Sequence, residues 1–105
     1  MKSLKGAIAM KRIMVRIDGD SSLEDLAEKY HTTVTAIKRL NNLHTDIFVG
    51  MRLIVEENQG AYYTVQPFDT LESVAKKFGV NAQRITDLNG VERVFIGQRI
   101  FIPTD

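Results

Sequence analysis

The chain contains no cysteine. Disulfides, thiolate metal sites and cysteine nucleophiles are therefore excluded. Imidazoles are nearly as scarce, since His31 and His44 are the only two histidines that could serve as bases or ligands. No charge of one sign dominates: 14 basic residues stand against 13 acidic ones, a formal charge of +1. That balance gives no whole-molecule field for holding nucleic acid or an anionic membrane. No apolar run approaches the roughly 18 residues that a membrane helix needs, so membrane insertion is not expected. What is present is the mix of a folded protein, 44% hydrophobic and 26% charged over 105 residues. This length allows one ordinary domain or two very small ones.

Residues 1–12, MKSLKGAIAMKR, are basic around a short small-apolar stretch, Gly6 to Met10. A secretory signal wants about 7–15 apolar residues and a small-residue cleavage site. The segment reads as a flexible lead-in, with Met10 as an alternative start, and does not itself encode export.

The rest of the chain is organised by an internal repeat. Displaced by 48 positions, Leu23, Glu24, Ala27, Lys29, Ile37, Leu40 and Asn41 fall on Leu71, Glu72, Ala75, Lys77, Ile85, Leu88 and Asn89. After a one-residue deletion, Phe48, Gly50 and Arg52 fall on Phe95, Gly97 and Arg99. The copies span residues 13–56 and 61–104, with the polar segment 57–60 between them as a linker.

Each copy parses alike. Met14–Ile17 and Tyr62–Val65 are short β-favouring runs. Ser21 and Asp69 each stand three positions before a glutamate, the capping-box spacing that opens a helix. Leu23, Leu26, Ala27 and Tyr30, like Leu71, Val74, Ala75 and Phe78, follow the i, i+3, i+4, i+7 spacing of one apolar helix face. These helices should end at His31 and Gly79 in a left-handed residue. Thr33 and Asn81 are N-cap candidates for a second helix, stopped by Asn41-Asn42 and Asn89-Gly90. Arg52–Val55 and Arg99–Ile102 close each copy as strands. The expected architecture is α+β: two tandem βααβ repeats, each an antiparallel pair of strands with both helices on one face.

Copy two reads Thr64-Val65-Gln66-Pro67-Phe68-Asp69-Thr70-Leu71, then Val74-Ala75-Lys76-Lys77-Phe78-Gly79-Val80, Leu88-Asn89 and Ile96-Gly97-Gln98-Arg99-Ile100-Phe101-Ile102-Pro103. Four separated blocks in this order resemble the LysM domain, whose pattern runs TV-x-PGDTL, IAKKYGV, LN and GQ-x-L-x-IP. Copy one resembles it more loosely, through Leu23, Leu26, Ala27, Lys29, Tyr30, Leu40, Asn41, Asn42, Leu43, Gly50 and Leu53. The resemblance implies a bacterial, non-catalytic module that binds N-acetylglucosamine polymers, peptidoglycan or chitin, at a cell wall or spore surface. It implies no metal and no cofactor. In that family the sugar lies between the first strand–helix loop and the loop before the last strand. Carried onto this chain, the second-copy site is Pro67, Phe68, Asp69 and Thr70 facing Gly90, Val91, Glu92, Arg93, Val94, Phe95 and Ile96. The weaker first-copy site is Gly19, Asp20, Ser21 and Ser22 facing Leu43, Asp46, Ile47 and Phe48. Phe68 replaces the glycine of the family pattern.

Plainer roles compete for several of these residues. Ser21 and Asp69 serve first as helix caps, and Phe48 and Phe95 read as core. Of Tyr62 and Tyr63, which alternate along a strand, one should be packed and the other exposed. A hydrolase triad drawn from Asp20, Ser21, Ser22, Asp25 and His44 lacks a nucleophile elbow and has no second-copy counterpart. A helix-turn-helix reading would send Lys38 and Arg39 to a major groove. The second copy has Thr86-Asp87 there, and the flanking strands are left over, so no nucleic-acid partner is expected. A third reading keeps the fold but makes it a protein-docking adaptor among envelope or spore-coat proteins.

Overall fold

The computed structural model describes residues 11–104. Strand β1 (Lys11–Arg16) is followed by α1 (Leu23–Tyr30), α2 (Val34–Leu40) and β2 (Arg52–Glu57). The second copy repeats the order as β3 (Gly60–Thr64), α3 (Leu71–Phe78), α4 (Ala82–Asn89) and β4 (Arg99–Pro103). Each copy thus builds a two-stranded antiparallel sheet, β1 with β2 and β3 with β4. Met14 stands opposite Ile54 in the first sheet and Tyr62 opposite Phe101 in the second. Strand β1 begins two residues inside the expected lead-in, whose residues 1–10 lie outside the described residues.

Strand alternation sends one face of each sheet onto its own helices. Leu53 and Val55 join Ile17, Leu26, Ala27 and Ile37 in one core. Ile100 and Ile102 join Val65, Leu71, Val74, Ala75 and Ile85 in the other. Two small cores of this size are marginal alone. The copies dock on one another to enlarge the buried whole.

Docking uses the outer face of the second sheet. Phe101 is 0% exposed there, its ring 5.0 Å from Tyr62 in an edge-on contact and 6.3 Å from His31. Tyr62 reaches the end of α1, its hydroxyl 2.9 Å from the carbonyl oxygens of both Ala27 and Thr32. Its one proton is shared between them, and Ala27 O also accepts from the backbone N–H groups of His31 and Thr32. Burial raises the Tyr62 phenol above its ordinary pKa. Arg99 lies over the Tyr62 ring at 4.0 Å and donates to both carboxylate oxygens of Glu28, at 2.6 and 2.8 Å. On the other side α2 packs against α4. Thr33 Oγ1 donates to Leu88 O, and Arg39 donates to Asp87 O at 2.6 Å. A Cβ on Gly90, at φ +68°, would lie 2.6 Å from Thr35 Cγ2, so glycine is required there by both conformation and space.

The polar junction proves far shorter than the expected linker. Glu57 belongs to β2 and Gly60 to β3, leaving Asn58 and Gln59 between. Asn58 is itself buried, and its Nδ2 donates to His31 O at 3.2 Å.

Candidate functional site

The helix starts place the loops that flank each groove. Helices α1 and α3 open one residue later than the capping-box spacing suggests. Ser22 and Thr70 are the N-caps, accepting from Asp25 N and Ser73 N at 3.0 Å. Ser73, not Glu72, completes the box, its hydroxyl accepting from Thr70 N at 2.8 Å and donating to Thr70 O at 3.1 Å. Ser21 and Asp69 are thereby corrected from caps to loop clasps. Asp69 accepts from Gln66 N at 2.8 Å and from the Tyr63 hydroxyl at 2.5 Å. These bonds, the tyrosine's first, hold the Asp69 carboxyl below its ordinary pKa. Ser21 does the equivalent work in copy one, accepting from Asp18 N at 3.3 Å and donating to Asp18 Oδ1 at 2.9 Å.

Behind each clasp lies a turn. Asp69 N donates to Gln66 O at 3.1 Å, with Pro67 and Phe68 as the central residues. Phe68 sits at φ +71°, the left-handed conformation that the third position of a type II turn demands. This explains why the family pattern has glycine there. A bulky side chain held so costs on the order of 1–2 kcal/mol. Phe68 is also 99% exposed, so it packs on neither Ser73 nor Val74. Its counterpart Asp20 is not left-handed.

Two cavities occupy the same place in the two copies. The first, about 370 Å³, is lined by Ser21, Ser22, Leu23, Glu24, Val34, Lys38, Thr45, Asp46 and Ile47. The second, about 440 Å³, is lined by Leu71, Glu72, Ala82, Gln83, Thr86 and Glu92. Both fall in the range of small-ligand sites. Each lies at the N-terminus of the first helix, where unpaired N–H groups and the positive end of the helix dipole collect. Leu23 with Val34, and Leu71 with Ala82, supply apolar wall. Gln83 Nε2 donates to Asp87 Oδ1 at 2.9 Å, and Gln83 Oε1 has no partner among the described residues, so it can accept an amide N–H.

The structure brings some of the expected residues together and separates others. In copy one Ser21, Ser22, Asp46 and Ile47 line the groove, while Gly19, Asp20, Leu43 and Phe48 do not. In copy two only Glu92 of the expected set lines it. Pro67, Phe68, Asp69 and Thr70 form the turn and cap beside it. Gly90 is spent on the contact with the first copy, and Val94 packs against the core. Val91 N donates to Thr86 O, and Arg93 lies exposed. Phe48 and Phe95, expected in the core, are 62% and 67% exposed, because each sits at a turn closed by Gly50 or Gly97. The two tyrosines are both half-buried, since Tyr63 faces its own core and Asp69 while Tyr62 faces the other copy. The second helix supplies groove residues that sequence reasoning missed: Val34 and Lys38, Ala82, Gln83 and Thr86. Their signal was available, for they precede or follow the buried Ile37 and Ile85 by one to three positions at matching places in the repeat. His31 is left-handed at the end of α1, and His44 Nε2 lies 2.9 Å from Asn42 Oδ1.

The comparisons with known proteins agree with this duplicated geometry. A family model of the LysM domain matches residues 18–56 and 63–103, more than half of the chain. The chain belongs to the LysM family. An N-acetylmuramoyl-L-alanine amidase, sle1 of Staphylococcus aureus (strain USA300), is 34% identical over 105 residues, covering 80% of this chain and 31% of the relative. The sle1 amidase of Staphylococcus epidermidis is 34% identical over 104 residues, covering 83% and 32%. Among solved structures, the spore cortex-lytic enzyme SleL of Bacillus cereus is similar at 28% identity and a TM-score of 0.43, over 89% of this chain and 23% of that one. The chain spans about a third of the length of the curated relatives it matches.

The LysM repeats also account for Asn41 and Asn89, the asparagines of the family's LN block. Asn89 Nδ2 donates to Ile85 O and Phe101 O at 2.9 and 2.8 Å, while its Oδ1 accepts from Phe101 N at 2.8 Å. Asn41 makes the same three bonds with Ile37 and Ile54, at 2.7–2.8 Å. Each asparagine ties the end of the second helix to the closing strand. The loop that flanks the groove is anchored at its start by this bond set.

Proposed function

We propose that the chain is a non-catalytic module that binds N-acetylglucosamine-containing glycans of the peptidoglycan or chitin type. The observation that carries this reading is the pair of cavities at the start of the first helix in both repeats. An N-acetyl group needs hydrogen-bond donors and acceptors for its amide and an apolar wall for its methyl. Helix-start N–H groups, Gln83 or Ser22, and the Leu71–Ala82 or Leu23–Val34 wall match those needs. The relatives support a wall ligand, since they are named for cleaving at N-acetylmuramoyl-L-alanine. Their catalytic activity is not carried over, because the matched part is only a third of their length. Envelope proteins remain an outcome of the tests below, and nucleic acid is disfavoured because Arg39 is held on Asp87 O within the α2–α4 contact.

Copy two is the better site for a bare glycan. It keeps Pro67, Asp69, Thr70, Gly97 and Gln98 of the family pattern, and Gln83 and Thr86 are neutral where copy one has Thr35 and the charged Lys38. In an amide-resolved NMR titration with chitopentaose, Leu71, Glu72, Gln83, Thr86 and Glu92 should shift more than residues 21–24 and 45–47. Larger shifts in copy one would reverse the assignment, and no saturable shift in either would overturn the reading. Phe68 is the aromatic placed to stack on a sugar beside this groove, strained and fully exposed as functional positions often are. Phe68→Ala should weaken chitopentaose binding by about 1–2 kcal/mol, comparable to other aromatic stacking. Phe68→Gly should lose the same contact yet stabilise the fold by roughly 0.5–1 kcal/mol, because glycine accepts a positive φ without strain. Unchanged affinity in both variants would remove Phe68 from the site.

A further inference from the structure

A third cavity, about 310 Å³, lies between the repeats, walled by α1 and by the sheet β3–β4. Its chemistry comes from Glu24, Glu28, Thr32, Tyr62 and Arg99. Thr32 is 1% exposed, and its Oγ1 is buried with no hydrogen-bond partner among the described residues. The repeat provides an internal control. The corresponding residue of copy two is Val80, which has the same branched shape without the hydroxyl and packs against that copy's core. Folding therefore needs the shape and not the oxygen, and burying the oxygen unpaired is unfavourable. A ligand that completes its hydrogen bonding accounts for it.

The charges of the cleft say what kind of ligand. Glu24 and Glu28 lie one helical turn apart on the same wall. Arg99 takes Glu28 and holds its carboxyl below the ordinary pKa, while Glu24 makes no ion pair among the described residues. The cleft is thus one cation short. The Glu28 and Arg99 side chains are 55% and 52% exposed, so their pairing is weak enough to be exchanged for ligand groups. A sugar ring would find no platform, because Arg99 covers a face of Tyr62 and Phe101 packs against the same ring at 74°. The cleft suits an ammonium and a carboxylate instead. It is also continuous with the first-copy groove, because Glu24 and Val34 line both.

We propose that this inter-repeat cleft binds a short peptide bearing a free ammonium and a free carboxylate, attached to the glycan strand that occupies the first groove. The ammonium lies between Glu24 and Glu28, the carboxylate on Arg99, and a peptide polar group completes the hydrogen bonding of Thr32 Oγ1. The attachment rests on the glycan reading above, whereas the cleft's preference for such a peptide does not.

The test is an NMR titration of the full chain with chitotetraose, with a peptidoglycan fragment carrying its peptide, with that fragment acetylated on its free amine, and with the free peptide. The peptide-bearing fragment should bind about tenfold tighter than its amine-acetylated form, the gain expected of charge-assisted hydrogen bonds. It should shift Glu28, Thr32 and Tyr62 together with residues 21–24. Thr32→Val should raise the melting temperature by removing the unpaired hydroxyl, yet weaken the peptide-bearing fragment several-fold and leave chitotetraose unaffected. Equal affinity for the free-amine and acetylated fragments would overturn the cleft proposal, as would Thr32→Val acting on both ligands alike. Groove shifts without cleft shifts would sink the cleft and leave the glycan reading standing. Cleft shifts with the free peptide and none with any glycan would do the reverse.

Discussion

Phe101→Ala should lower stability by roughly 3–5 kcal/mol, the range for truncating a fully buried aromatic. The ring is 0% exposed although it stands on the outer face of its sheet, because the first repeat covers it. Its loss removes the edge-on contact with Tyr62 and the stacking on His31. It also loosens the seat from which Tyr62 caps the carbonyls of Ala27 and Thr32. For a chain of this size, each kcal/mol moves the melting temperature by about 4–8 °C. A thermal melt should therefore drop by well over 10 °C, and chemical denaturation should separate the two repeats into distinct transitions. A loss under about 1 kcal/mol with one cooperative transition would mean that the copies are not coupled through this face.

Asn89→Ala should cost roughly 2–4 kcal/mol. The side chain makes three hydrogen bonds, two of them to the backbone N–H and C=O of Phe101. With the asparagine gone, those two groups lie buried without partners, at about 1–3 kcal/mol for each unsatisfied group, summing less than additively. Asn41→Ala removes the same geometry from copy one but should cost less, because its strand partner Ile54 is only half-buried while Phe101 is fully so. Equilibrium denaturation of the two variants checks the order. Equal and small losses would assign these asparagines to helix termination alone.

Much of this architecture was legible in the residues because the chain states it twice. The second copy's Asp69-Thr70-Leu71-Glu72 and the first copy's Ser21-Ser22-Leu23-Glu24 located the same helix start within one residue. The one-residue error has a physical origin: two adjacent oxygen-bearing residues can each cap, and the Asp69 carboxylate is taken by the Tyr63 hydroxyl and Gln66 N instead of a helix N–H. His31 was expected to be left-handed by its alignment with Gly79, and it is, at φ 56°. The exposure of Phe48 and Phe95 was hidden because hydrophobicity alone does not tell a core residue from one at the tip of a turn. Docking of the copies was the least legible feature. Tyr62 and Phe101 replace Met14 and Ile54, pairs that look interchangeable as strand residues, yet only the tyrosine carries a hydroxyl that can reach the α1 carbonyls. Of the loop residues that the family resemblance pointed to, Ser21, Ser22, Asp46 and Ile47 line the first cavity, but only Glu92 lines the second. The other wall belongs to α2 and α4, whose exposed residues look like ordinary helix surface until the fold places them beside the first helix.

The central claim, recognition of N-acetylated glycan by the paired grooves, is tested most directly by equilibrium binding of the full chain to insoluble peptidoglycan before and after chemical removal of its N-acetyl groups. The acetamido group is what the helix-start N–H groups, Gln83 Oε1 and the Leu71–Ala82 wall are expected to hold. Saturable binding to the acetylated polymer should therefore fall at least tenfold on de-N-acetylation, and added chitopentaose should compete for it. Binding of equal strength to both polymers, or no saturable binding to the acetylated one, would contradict the account.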